Sequence, residues 1–213
     1  MKTIIFLLLS LTIMAFKEEM RIVPVGYEKY GETVYYSSSK MEKVDILTFE
    51  ILDTLYAKDK NYVYYEGKKI ENLKTSDFIY LGDFYVKYKN EVYYSGKKLD
   101  EGDFKSFVYL GKYYGKDKNN VYFGGKKIVE AESFTFRVLE FNYGKDENNV
   151  FFGTKIILNS DSATFEVLNS KYSKDKNNIY FWGEKIEGTD ALSFKILNDE
   201  YGIDKNNAYY NSR

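Results

Sequence analysis

The chain has 213 residues, 30% of them charged and 19% aromatic, and it contains neither cysteine nor histidine. Those two absences exclude disulfides, the imidazole base of a Ser-His-Asp triad, and the nitrogen or sulfur ligands of ordinary zinc, haem and iron–sulfur sites. With 31 basic against 32 acidic side chains the net charge is −1, which gives no pull toward nucleic acid or an acidic membrane; neither nucleic acid nor a cofactor is expected.

Residues 1–16 read as a secretory signal: Lys2 forms a short positive region, and an apolar run from Ile4 to Ile13 is broken only by Ser10 and Thr12. The run to Phe16 is about 13 residues, short of the roughly 20 needed to span hydrocarbon. No integral span is therefore expected in the mature chain, and without cysteine there is no lipid anchor. Export is expected, with the cleavage site near Ala15 unmarked by an A-x-A pattern.

From residue 20 onward one β domain, 20–213, is expected, because the text repeats every 29 residues without insertion. Seven units start at Met20, Phe49, Phe78, Phe107, Phe136, Phe165 and Phe194. Seven residues into each unit stands a tyrosine, from Tyr27 to Tyr201. Three further on, Asp59, Asp117, Asp146, Asp175 and Asp204 form a column that Tyr30 and Tyr88 interrupt. A β-branched residue follows in six units, with Ala208 in the last, and two aromatics come directly after it in every unit.

Short β-branched and aromatic runs separated by Asn and Gly predict strands. No window carries the apolar period of a helix. Two turns per unit follow by mechanism. Asp-Lys-Asn joins one strand pair, with Asp59, Asp117, Asp146, Asp175 and Asp204 as structural caps whose carboxylates accept backbone N–H groups two residues on. Glu66-Gly67, Ser95-Gly96, Gly124-Gly125, Gly153-Thr154 and Trp182-Gly183 are two-residue hairpin loops, where glycine supplies positive φ.

Lysines recur at Lys68, Lys97, Lys126 and Lys155. In a tight solenoid they would lie about 4.8 Å apart and repel by about 0.9 kcal/mol per pair even in bulk water. If each unit added three or four strands to a meander they would lie about 14–19 Å apart, beyond a Debye length of about 8 Å. The expected fold is all-β: seven tandem 29-residue β-hairpin or meander units in a curved or superhelical array. The alternative is closure as a seven-bladed propeller, although propeller blades usually need about 40 residues.

The Asp-Lys-Asn-Asn and Val-Tyr-Tyr text, at Asp59–Tyr65, Asp117–Phe123, Asp146–Phe152, Asp175–Phe181 and Asp204–Tyr210, resembles the DKNYY family of exported bacterial repeat proteins. The resemblance covers about residues 20–213. It implies the repeat fold and a periplasmic, surface or secreted location, and it implies no activity or catalytic residue.

Three columns are candidates for chemistry. The Asp-Lys-Asn oxygens are of the type that binds calcium, but the spacing fits no EF-hand and Tyr30 and Tyr88 break the column, so no metal is expected. The aromatics Tyr35, Tyr64, Tyr93, Tyr122, Phe151, Tyr180 and Tyr209 lie one per unit on one strand face; they either fill the core or form a ligand-contact ladder. Trp182, in a hairpin turn, joins that ladder as a contact residue. The lysine rows either solvate a face or grip an anionic envelope polymer. No carboxylate pair stands outside the repeat, so no enzymatic activity is expected. The sequence thus predicts a binding or envelope-associated scaffold with a glycan or envelope protein as partner, or alternatively a passive structural spacer without a ligand.

Overall fold

A computed structural model describes residues 25–210. The proposed signal at residues 1–16 and the opening strand at Met20 lie outside the described residues. Among those described there are 26 short strands in seven antiparallel sheets, one 3-10 turn at Thr75–Asp77 and no α-helix. Among the described residues no helix is long and apolar enough to cross a membrane.

Each sheet is one repeat unit, with its strands in chain order. In the sixth unit these are Glu166–Val167, Tyr172–Lys174, Ile179–Phe181 and Glu184–Lys185. Their register, Glu166 opposite Lys174, Tyr172 opposite Phe181 and Tyr180 opposite Lys185, is set by the intervening turns. The Asp-Lys-Asn turn lies at one end of the strands. The other two turns, one before each repeat tyrosine and one carrying the hairpin glycine, lie at the opposite end.

Hydrogen-bonded pairing stops at the unit boundary, so the units do not extend one continuous meander. They pack face to face. The meander spacing derived from the lysine column is therefore corrected: Lys155 and Glu184 occupy equivalent places in adjacent units and form an ion pair. The reason is that both faces of each central strand are apolar. Val121 points forward and Tyr122 backward, both buried, and strands laid edge to edge would leave those faces in water.

Six buried clusters fill the six interfaces between neighbouring units. Between the fourth and fifth units, Tyr114, Val121 and Ile128 meet Phe136 and Phe151. An aromatic side chain buries 150–250 Å², about 4–6 kcal/mol of gross transfer energy. The repeat tyrosine also carries a polar tip across each interface. Tyr85 donates its hydroxyl to the Tyr113 carbonyl at 3.2 Å and accepts the Gly125 N–H at 2.9 Å. Tyr27 does the same with Leu55 and Gly67 at 3.2 and 3.0 Å. The hydroxyl thus pins both turns at the glycine-bearing end of the next unit, a task phenylalanine cannot perform.

The last of these tyrosines, Tyr201, is 44% exposed, whereas Tyr56, Tyr85, Tyr114, Tyr143 and Tyr172 are fully buried. The first unit does not cover it, so the array is open and the seven-bladed closure does not form. Tyr85→Phe is expected to cost about 1–3 kcal/mol, because a buried turn amide loses its partner. Tyr201→Phe should change stability by less than about 0.5 kcal/mol. Urea unfolding of the two variants checks the difference.

Candidate functional site

The Asp column is held by the turns it closes. Asp59 Oδ1 accepts the N–H groups of Asn61 and Tyr62 at 2.7 and 2.8 Å, and Asp117, Asp146, Asp175 and Asp204 repeat the pattern. The second oxygen reaches further. It accepts the N–H of the linker residue 14 positions earlier, Asp45 for Asp59 and Asp161 for Asp175. It also accepts a tyrosine hydroxyl five residues on, at 2.7 Å from Tyr64 and 2.6 Å from Tyr180. Phe151 has no hydroxyl, so Asp146 lacks that bond. Both carboxylate oxygens therefore serve the chain itself. Where Tyr30 and Tyr88 replace the aspartate, the turn shortens to two residues, Gly31-Glu32 and Lys89-Asn90.

The seven aromatics of the expected ladder are mostly buried. Tyr64, Tyr122, Phe151, Tyr180 and Tyr209 are buried against the preceding unit. Tyr35 and Tyr93 are half-buried, Tyr93 stacking on Tyr88 at 4.0 Å. Five of the seven are thus closed to a ligand. The next residue in each strand points the other way. Tyr36, Tyr65, Tyr94, Phe123, Phe152 and Phe181 are half-buried and Tyr210 is exposed. The hairpin glycine of the following unit lies on each of the first few: a Cβ on Gly96 would come within 2.6 Å of Tyr65, and one on Gly125 within 2.6 Å of Tyr94. Both glycines also hold φ near +73°, so this position needs glycine for conformation and for space.

At the glycine-bearing end these rings join aromatics that the repeat columns do not announce. Phe84 and Tyr113 stack with centroids 6.5 Å apart. Tyr113 meets Phe123 at 6.2 Å, and Phe152 meets Trp182 at 5.7 Å. Trp182 is 46% exposed. Phe84 and Tyr113 sit in two-residue turns with φ of 69° and 64°, a conformation costly for bulky side chains. The corresponding turns of the second, sixth and seventh units avoid this with a side-chain cap, Asp53, Asn169 or Asn198. Between Phe123 and Phe152 lies an open depression of about 440 Å³, lined also by Gly124, Lys126, Asn142 and Thr154. Phe84 and Tyr113 escaped sequence analysis because their column reads Gly26, Leu55, Phe84, Tyr113, Asn142, Lys171 and Glu200, with no constant chemistry.

The lysines preceding the Asp column are internal braces. Lys87 and Lys145 are buried and donate to the carbonyls of Phe107 and Ser162, and burial lowers the pKa of both. The exposed row is Lys68, Lys97, Lys126 and Lys155, on the last strand of each sheet. Among the described residues no group of three acidic side chains gathers as a metal site.

A sequence profile of the DKNYY family matches residues 12–84 and 85–213. The chain belongs to the DKNYY family. No curated protein and no solved structure matches it. In this DKNYY protein the recurring Asp-Lys-Asn and paired aromatics are folding elements: the aspartate closes the turn, the first aromatic fills the core, and the second lies half-covered at the glycine-bearing end.

The buried carboxylates give a pH dependence. Burial pushes Asp59 and Asp175 up, but the hydrogen bonds from linker amides, tyrosine hydroxyls and turn amides outweigh it and lower both pKa values. Asp204 is held at about 2, first by the Asp190 N–H. Asp161 and Asp190 are held at about 2, first by hydrogen bonds from the Lys176 and Lys205 ammonium groups. Folded values below the unfolded 3.9 or so mean stabilisation that is complete above about pH 4 and lost as pH falls toward 2. The thermal midpoint is expected to hold from pH 8 to 5, where no histidine titrates, and to drop steeply between about pH 4 and 2. Asp175→Asn should melt below the parent at pH 7, with the gap narrowing at pH 2. Circular-dichroism melts across pH read both effects.

Proposed function

We propose that this protein is a non-enzymatic binding scaffold, exported from the cell, that holds an envelope glycan on the aromatic row at the glycine-bearing end. The observation that carries this reading is the strained placement of Phe84 and Tyr113 beside Phe123, with Phe152 and Trp182 across the depression that Phe123 and Phe152 line. Strained backbone concentrates at functional sites. Flat rings beside one lysine, one amide and one hydroxyl suit a sugar ring and its substituents. Export is supported by the Lys2 and Ile4–Ile13 pattern. The absence of catalysis is supported by the Asp carboxylates, whose oxygens are occupied by chain amides and tyrosine hydroxyls.

The second reading is a passive structural spacer. It is favoured by the burial of the first aromatic in five of the units, where tyrosine serves packing. Trp182, the single tryptophan, separates the two readings. Adding soluble envelope glycans should shift its emission, and Tyr113→Ala should weaken binding by about tenfold while leaving the fold intact. Unchanged emission with every glycan fraction would leave the spacer reading standing.

A further inference from the structure

The repeat provides its own control at the Asp-Lys-Asn end of the strands. The linker entering most units carries one acid: Asp45, Asp103, Glu132, Asp161 or Asp190. Four of these pair with the lysine of the following turn, Asp45 with Lys60 at 2.6 Å, Asp103 with Lys118 at 3.3 Å, Asp161 with Lys176 at 2.6 Å and Asp190 with Lys205 at 2.8 Å. In the linker entering the third unit the acid is replaced by Lys74, and the turn lysine opposite is Lys89. By alignment of the units, two lysines stand where four others have an acid and a lysine. The buried aspartate cap is absent there too, replaced by Tyr88, and Lys89 and Asn90 both take positive φ, 51° and 59°.

Five other linkers show that the fold runs well with an acid at this place, so packing does not require the departure. Tyr88 gains a stack on Tyr93 in exchange for the cap, but no contact among the described residues compensates for Lys74, and a local rule broken without compensation points to a role outside folding. Lys74 and Lys89 make no ion pair among the described residues. Of the charges nearby, Lys60 pairs with Asp45 and Lys69 lies 3.8 Å from Glu71, while Asp77 accepts only the neutral Ser76 hydroxyl at 3.0 Å and keeps its charge.

Two adjoining depressions open at this corner. One, of about 750 Å³, is lined by Lys60, Tyr62, Lys69, Lys74 and Ser76 among others. The other, of about 400 Å³, is lined by Asn72, Ser76, Asp77, Lys89, Asn90 and Phe104 among others. Tyr62 stands where later units carry Asn120, Asn149, Asn178 and Asn207, and the Lys69 ammonium lies 4.0 Å from its ring centroid. The corner therefore combines two ammonium groups outside any ion pair, one carboxylate at Asp77, amide and hydroxyl side chains, and an added aromatic ring.

We propose that this corner binds an acidic polysaccharide, with Lys74 and Lys89 taking its anionic groups and Asn72, Ser76 and Asn90 its hydroxyls. The site is independent of the aromatic row, which lies at the other end of the strands, so Trp182 emission does not report on it and either proposal can fail alone.

The test is calorimetric titration of the full protein with polygalacturonate and dextran sulfate, against neutral dextran and inorganic polyphosphate. Binding to the two acidic polysaccharides is expected, weakening as salt is raised, with none to neutral dextran. Lys74→Asp restores the acid of the other linkers. It should bind about tenfold more weakly while its melting temperature holds, since five other linkers carry an acid at this place. A Lys74→Asp protein that binds like the parent overturns the proposal, and so does a parent that binds neither polysaccharide at low salt. Polyphosphate binding without polysaccharide binding overturns the saccharide assignment.

Discussion

A sheet of three or four strands, each two to four residues long, has too little area to hold together in water. What this protein depends on is the contact between sheet faces, and the repeat tyrosine is central to it. The ring supplies apolar area to the interface. The hydroxyl then reaches two backbone groups in the next unit's turns, as Tyr85 does with Tyr113 and Gly125. One side chain thus joins burial to register: a unit that slid or rotated against its neighbour would strand a buried hydroxyl and a buried amide together. Because each cluster joins only adjacent units, stability is a sum of neighbour terms, with the ends weakest.

The Asp column works on the same principle within and between turns. A carboxylate in a buried place is costly unless its oxygens are filled. Here one oxygen closes the turn and the other gathers the preceding linker and, in four units, a tyrosine hydroxyl. Lysines such as Lys116, donating to the Ser133 carbonyl at 2.7 Å, brace the same linkers. Among the described residues the six buried charged side chains, Asp59, Lys87, Asp117, Lys145, Asp146 and Asp175, all serve turns and connections, which leaves the units that depart from this pattern informative.

Those exceptions concentrate in the third to fifth units. There the turn ahead of the repeat tyrosine gives up its capping side chain for left-handed residues at Phe84, Tyr113 and Asn142, and there the acid of one linker becomes Lys74. A regular array offers identical surfaces along its length, so selective binding needs units that differ. The aromatic row and the basic corner are two such differences, at opposite ends of the strands, and each arises where the repeat departs from its own rule.

The repeat, its period, the strand assignments and the capping role of Asp59 and its equivalents were legible from the sequence, because each follows from local chemistry: β-branched and aromatic runs, Asx turns and glycine loops. Family membership was legible for the same reason. Which of two adjacent aromatics faces outward was not. Tyr64 and Tyr65 are alike as text, and alternation along a strand states only that they point opposite ways. The choice falls to the neighbouring sheet, which covers Tyr64 completely and lays only a glycine turn over part of Tyr65. Face-to-face stacking itself was likewise a tertiary outcome, since a lysine column reads the same whether its members are one sheet or four strands apart. It was decided by the need to cover both faces of every central strand at once.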